Sequence, residues 1–180
     1  MAQIEQKKET PMLKKTAYLI VAFVFLGCIS STYAQKRGPS TPEERKQAVE
    51  MATFLETNPL AKEAKDYRTK LFMFLAEVPD ISIKLCLNVI GKSKQFKGDY
   101  DSELTSQLMY SQAKFIIENP AKAQDDAAVY LAAVEGVLRT WQAIKAAKPK
   151  AKFPLLDELL AKQQAGTLSE HVQAGMQGCK

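Results

Sequence analysis

The sequence is short of the parts from which catalytic and metal centres are usually built. Its 180 residues hold one histidine, His171, one tryptophan, Trp141, and three cysteines. A structural zinc site needs four ligands, and only His171 is present to join the cysteines, so zinc is not expected. The run Val89-Ile90-Gly91-Lys92-Ser93 ends like a phosphate-binding loop. That motif requires a glycine five residues before Gly91, where Cys86 stands, and this excludes the motif. No apolar stretch is long enough to settle in a bilayer: the run over 17–27 is about 11 residues against the ~20 that a span needs. Charge of one sign is also missing in bulk. Twenty-five basic and 20 acidic residues leave +5, too little for a dedicated nucleic-acid binder.

The short apolar run instead carries an address. Lys14 and Lys15 precede it, small residues Ser30, Ser31, Thr32 and Ala34 follow, and the polar stretch from Gln35 comes next. This order predicts a secretory signal peptide over 1–34, with Thr32 and Ala34 at the positions read by the peptidase. Met12 would serve as a start as well as Met1 does. Phe25-Leu26-Gly27-Cys28 resembles a lipoprotein box, with Phe25 where that box takes an aliphatic residue; anchoring through Cys28 is the alternative to simple cleavage. The expected destination is the periplasm or the exterior. The chain from Gln35 has 21 basic and 18 acidic residues, a net charge of +3. It retains Cys86 and Cys179, and an even pair in an exported chain predicts a disulfide that pins the C-terminal tail to the body.

Beyond a flexible tail at 35–40, one helical domain is expected over 41–180. Thr41-Pro42-Glu43-Glu44 sets an N-cap, a first-turn proline and a capping-box glutamate in register for a helix to about residue 57. Asn58-Pro59 is expected to start a second helix, in which Leu71-Phe72-Met73-Phe74-Leu75 is apolar all round and predicts deep burial. Residues 81–90 alternate apolar and polar as a strand does, but no second segment offers itself as a partner. With Asp80 as cap and Gly91 as stop, a helix is expected there. Further helices are expected over 102–118, from Asn119-Pro120 to about 147, from Pro154 to Gly166, and after the capping box Thr167–Glu170. In the longest of these, Ala132, Gly136 and Thr140 form a small-residue row suited to close approach by a neighbouring helix. The expectation is an all-α, compact bundle of about seven helices arranged as antiparallel hairpins with one disulfide.

The turns echo one another. Phe54-Leu55-Glu56-Thr57-Asn58-Pro59 is matched by Phe115-Ile116-Ile117-Glu118-Asn119-Pro120, and Ala147-Lys148-Pro149 is a looser third copy. Spacing and the segment 130–149 resemble the hairpins of tetratricopeptide repeats, although the first-helix Trp…Leu-Gly…Tyr pattern of that family is missing. The resemblance implies repeat-like hairpins and a partner-binding role. The chain as a whole also resembles small exported bacterial all-helical proteins, a likeness that implies a class and no chemistry.

Other candidate chemistry reads more simply as structure. Asp99-Tyr100-Asp101-Ser102-Glu103 starts like a calcium loop, but Leu104 and Tyr110 stand where Gly and Glu are required, so Asp99 or Asp101 is expected to cap a helix. His171 has no relay partner beside it, and Asp125 and Asp126 suit a helix dipole. The clusters Lys92, Lys94, Lys97 and Lys145, Lys148, Lys150, Lys152 read as solvated turns. The functional expectation is therefore a non-catalytic module without cofactor. It binds a protein or peptide in a groove lined by Tyr67, Tyr110, Tyr130 and Trp141; the alternative is a carrier of a small apolar ligand or lipid in its core.

Overall fold

The computed structural model describes residues 37–91 and 97–179. The expected leader with Cys28, and Lys92 and Lys94, lie outside them. Among the described residues there are six α-helices and no strand. They are α1 (Pro42–Thr57), α2 (Ala64–Glu77), α3 (Asp101–Glu118), α4 (Asp126–Ala147), α5 (Pro154–Gln164) and α6 (Leu168–Met176).

The first cap forms as the sequence dictates. Thr41 Oγ1 accepts from Glu44 N at 3.2 Å, and Glu44 Oε2 accepts from Thr41 N at 2.8 Å. The second capping box does not form. Gly166, at φ +75°, ends α5, and Thr167 N donates back to Lys162 O at 2.9 Å. That return turns the Thr167 hydroxyl away from α6, which begins without a side-chain cap.

The three echoed turns share one physical role, which is to end helices. A residue before proline is driven out of the α region by the proline ring. Asn58, Asn119 and Lys148 accordingly sit at φ −131°, −127° and −135° as C-caps of α1, α3 and α4. Each donates its backbone N–H to the carbonyl four residues back, at 2.7, 2.8 and 2.7 Å. So Asn58-Pro59 and Asn119-Pro120 do not open the next helices. A turn separates Asn58 from α2, and a short 3-10 helix, Pro120–Lys122, precedes α4. The cap of α4 is Asp125, whose Oδ1 accepts from Ala128 N at 3.1 Å.

The expected seventh helix at 81–90 is absent. Residues 81–86 form no regular element, with Cys86 in an extended conformation, and 3-10 helix Leu87–Val89 follows. The segment is fixed at both ends. At one end Asp80 accepts from Ser40 N at 2.8 Å, Ser40 Oγ at 2.7 Å and Arg45 Nη2 at 2.6 Å. At the other Cys86 is bonded to Cys179, with Cα atoms 5.7 Å apart. Asp80 is thus spent on the chain N-terminal to α1 and caps nothing. The same contacts tie Ser40, the last residue of the expected flexible tail at 35–40, to the body. Midway, Lys84 N donates to the side-chain oxygen of buried Gln112 at 3.2 Å.

The main core surrounds α4. Val134, Val137, Leu138, Trp141 and Ile144 are fully buried against Leu104 and Leu108 of α3, Phe153, Leu156 and Leu159 around α5, and Val172 of α6. The tail closes over it as expected from the cysteines. α6 lies so close to the 3-10 turn that a Cβ at Gly175 would sit 2.4 Å from Asn88 O. Asn88 Nδ2 donates to Gly178 O at 2.8 Å. A second cluster joins α1 and α2 to Tyr110 of α3. There the sequence overstates burial. Leu71 is buried, but Phe72 and Met73 are 52% and 50% exposed, because α2 packs only one of its faces.

Candidate functional site

Among the described residues an open groove of about 730 Å3 lies between α1 and α2. Its apolar floor is Met51 and Phe54 from α1 and Tyr67, Met73 and Phe74 from α2, with Phe54 and Tyr67 edge to face at 4.9 Å between centroids. Its rim is charged by Glu44, Glu50, Lys70 and Glu77. At one end Arg37 bridges the two walls. It pairs with Glu44 of α1 and, at 3.4 Å, with Glu77 of α2, and its guanidinium lies 5.6 Å from the Phe74 ring centroid. Hydrogen bonds from the Thr41 backbone and hydroxyl, with Arg37 alongside, hold the Glu44 carboxyl below the usual carboxylate range.

Of the four aromatic residues expected to line a groove, only Tyr67 lines the one between α1 and α2. Tyr110 is buried with its hydroxyl donating to Arg68 O at 2.9 Å, and burial pushes its phenol up. Tyr130 is 5% exposed and packs in the main core. Trp141 is fully buried, edge to face with Phe153 at 6.0 Å, its Nε1 donating to Asp157 at 2.9 Å. Helical spacing found inward-facing aromatic residues but could not tell a core position from a groove wall. The groove itself rests on Met51, Phe54, Met73 and Phe74.

A second polar assembly, unforeseen as a unit, lies where α1, α3 and α4 cross. Glu56 is 2% exposed. Its Oε2 accepts from Arg139 Nε at 2.9 Å and Lys114 Nζ at 3.2 Å, and its Oε1 from Arg139 Nη2 and Ser111 Oγ, both at 3.1 Å. Gln107 Nε2 donates to Ser111 Oγ at 3.0 Å. Burial opposes ionisation of Glu56, but the Arg139 and Lys114 cations outweigh it and hold the carboxyl below its ordinary value. A carboxylate clamped by two cations is a poor base, so this assembly is cement between helices rather than a reacting centre. The signal was in the sequence: Glu56 continues the four-residue spacing of Ala48 and Ala52, and Ser111 interrupts the apolar stripe of α3.

The remaining candidates resolve as structure. Asp99 does not cap α3. Its Oδ2 accepts from Lys152 N at 2.9 Å and its N donates to Lys152 O at 3.0 Å, clasping the turn before α5. The cap position belongs to Tyr100, at φ +64° and without a side-chain cap bond; Asp101 is the first helical residue. Asp126 pairs with Lys84 at 2.8 Å, and His171 Nε2 donates to Ile90 O at 3.2 Å. Lys145 is held by Asp157 at 2.7 Å. A small, partly open cleft beside Gln112, lined also by Lys84, Asp126 and Tyr130, measures about 30 Å3. No group of three metal-ligating side chains occurs among the described residues, and no helix among them is long and apolar enough to cross a membrane. Compared with protein-family models, curated proteins and solved structures, the chain matches none.

Proposed function

We propose that this chain is an exported, non-catalytic helical module that binds a segment of a partner protein in the groove between α1 and α2. One observation carries the reading. The groove, about 730 Å3, has the size of a ligand site, and its apolar floor leaves Met73 half exposed on a rim of charged side chains. Methionine and aromatic side chains on a shallow floor suit the apolar face of a peptide, since they adapt in shape at small cost. The Cys86–Cys179 bond supports the exported compartment, because such bonds persist where the surroundings oxidise.

Two measurements test the proposal. A photo-crosslinking residue at Met73 should capture a defined partner band that one at exposed Gln142 of α4 does not, and Tyr67→Ala should weaken that capture. Equal capture at both positions would refute the groove. Intact mass of the recovered protein should begin at Gln35 and show two thiols only after reduction; a lipid-bearing Cys28 would replace secretion with membrane anchoring.

A further inference from the structure

The end of the groove occupied by Arg37 is built as a socket for a cation. Glu44 comes from one wall, Glu77 from the other, and the face of Phe74 closes the bottom. Glu44 is fixed independently of Arg37, because its Oε2 already accepts from the Thr41 backbone and hydroxyl at 2.8 and 3.0 Å. The α1 wall of the socket therefore keeps its shape when the guanidinium leaves. Arg37 can leave by side-chain rotation alone: its backbone stays near Ser40, which is clamped to Asp80, while both its ion pairs join groups that are 30% exposed or more. Pairs of that kind are weak individually.

We infer that Arg37 is an internal stand-in for the partner. The socket recognises a basic side chain, arginine above lysine, on an incoming peptide whose neighbouring apolar residues cover Met51, Phe54 and Met73, and Arg37 swings out as that side chain enters. Arginine is preferred because its planar group both stacks on a ring and bridges two carboxylates. The charge of the occupant is thus written in the site by the residue that fills it. This inference rests on the groove reading above and adds the chemistry of the partner and a self-blocking arm.

The test is a displayed random-peptide library selected on full-length protein carrying Arg37→Ala. Enriched peptides should carry arginine or lysine beside apolar residues. They should bind Arg37→Ala about tenfold tighter than wild type, the competition expected of one stacked, paired side chain. Adding Glu77→Gln to Arg37→Ala should weaken them by a similar factor without touching the Thr41 capping box. Enriched peptides that lack basic residues, or that bind wild type and Arg37→Ala equally while Met73→Glu abolishes binding, would overturn the socket and leave the groove standing. Failure to enrich any peptide, or peptides that bind Met73→Glu as well as the parent, would overturn the groove and the socket together.

Discussion

Replacing Gly136 with alanine sets two effects of opposite sign against each other at one atom. On helix propensity alone the change stabilises α4 by about 1 kcal/mol, since a mid-helix glycine is costly. The crossing with α3 says otherwise. A Cβ at Gly136 would lie 1.9 Å from Ser111 Oγ, 2.5 Å from Ser111 Cβ and 3.0 Å from Glu56 Oε1. Rotating the serine hydroxyl relieves the first clash only by giving up its bonds to Glu56 and Gln107. The second clash is with a carbon that no rotation moves, so the helices must part by about 1 Å, a gap that forfeits a sizeable share of contact energy across the interface. Overpacking costs ~1–3 kcal/mol and a disrupted buried hydrogen-bond set ~1–3 kcal/mol more. The net expectation for Gly136→Ala is a loss of roughly 2–4 kcal/mol, read as a lower urea midpoint at unchanged slope. In a Ser111→Gly background both serine contacts vanish, and the nearest atom left is Glu56 Oε1 at 3.0 Å, which has only to shift by a few tenths of an ångström. There Gly136→Ala should turn neutral or stabilising, a coupling of about 2 kcal/mol or more. A stabilising Gly136→Ala in the otherwise native chain would refute the reasoning.

Two further stability predictions follow from the same interior. Glu56→Gln should cost about 2–4 kcal/mol at pH 7, moderated because Arg139 is 45% exposed and regains water. Since the folded carboxyl titrates below its unfolded value, its contribution is present above the unfolded pKa and is lost as pH falls through the folded one. The gap between variant and wild type should therefore shrink in acid, and urea titrations giving the same gap at pH 7 and pH 3 would refute the carboxylate's role. Replacing both Cys86 and Cys179 by serine reopens a loop of 93 residues, for which chain entropy sets a loss of up to ~4–5 kcal/mol. Calorimetry showing less than ~1 kcal/mol would mean that α6 is held by packing and not by the bond.

How much was legible depended on whether a signal was local. The α1 cap, the stops at Gly166 and before Pro149, and the all-α class were legible because cap residues and proline act on their immediate backbone. The disulfide was legible from the two cysteines left once the expected leader takes Cys28. The irregular run 81–86 was misread as a helix because its path is fixed from outside, by Asp80 reaching to Ser40 and Arg45 and by Cys86 reaching to Cys179. The exposure of Phe72 and Met73 was hidden for the same reason: periodicity shows that a residue is apolar, but only the arrangement of helices decides whether another element covers it. Gly136 lay in a small-residue row that foretold close approach, yet its contact, Ser111, and the carboxylate behind it come from helices 25 and 80 residues away in the chain. The Asn-Pro pairs carried a correct signal read in the wrong direction, because the restriction proline places on the residue before it ended one helix more surely than its fixed φ began the next.

The covalent bond between Cys86 and Cys179 makes most of this protein a ring. α3, α4, α5 and α6 lie on the closed part of the chain, whereas α1 and α2, with the groove, lie on the open arm. Tension applied between the two ends of the chain passes from residue 86 straight to residue 179. The ~330 Å of chain contour stored between them, at ~3.6 Å per residue, stays out of the load path. A pull from the N-terminal side would load α1 and α2 first and reach the ring only through side-chain contacts such as those of Glu56 with Lys114 and Arg139, and a peptide bond cut within the ring would leave the two pieces joined.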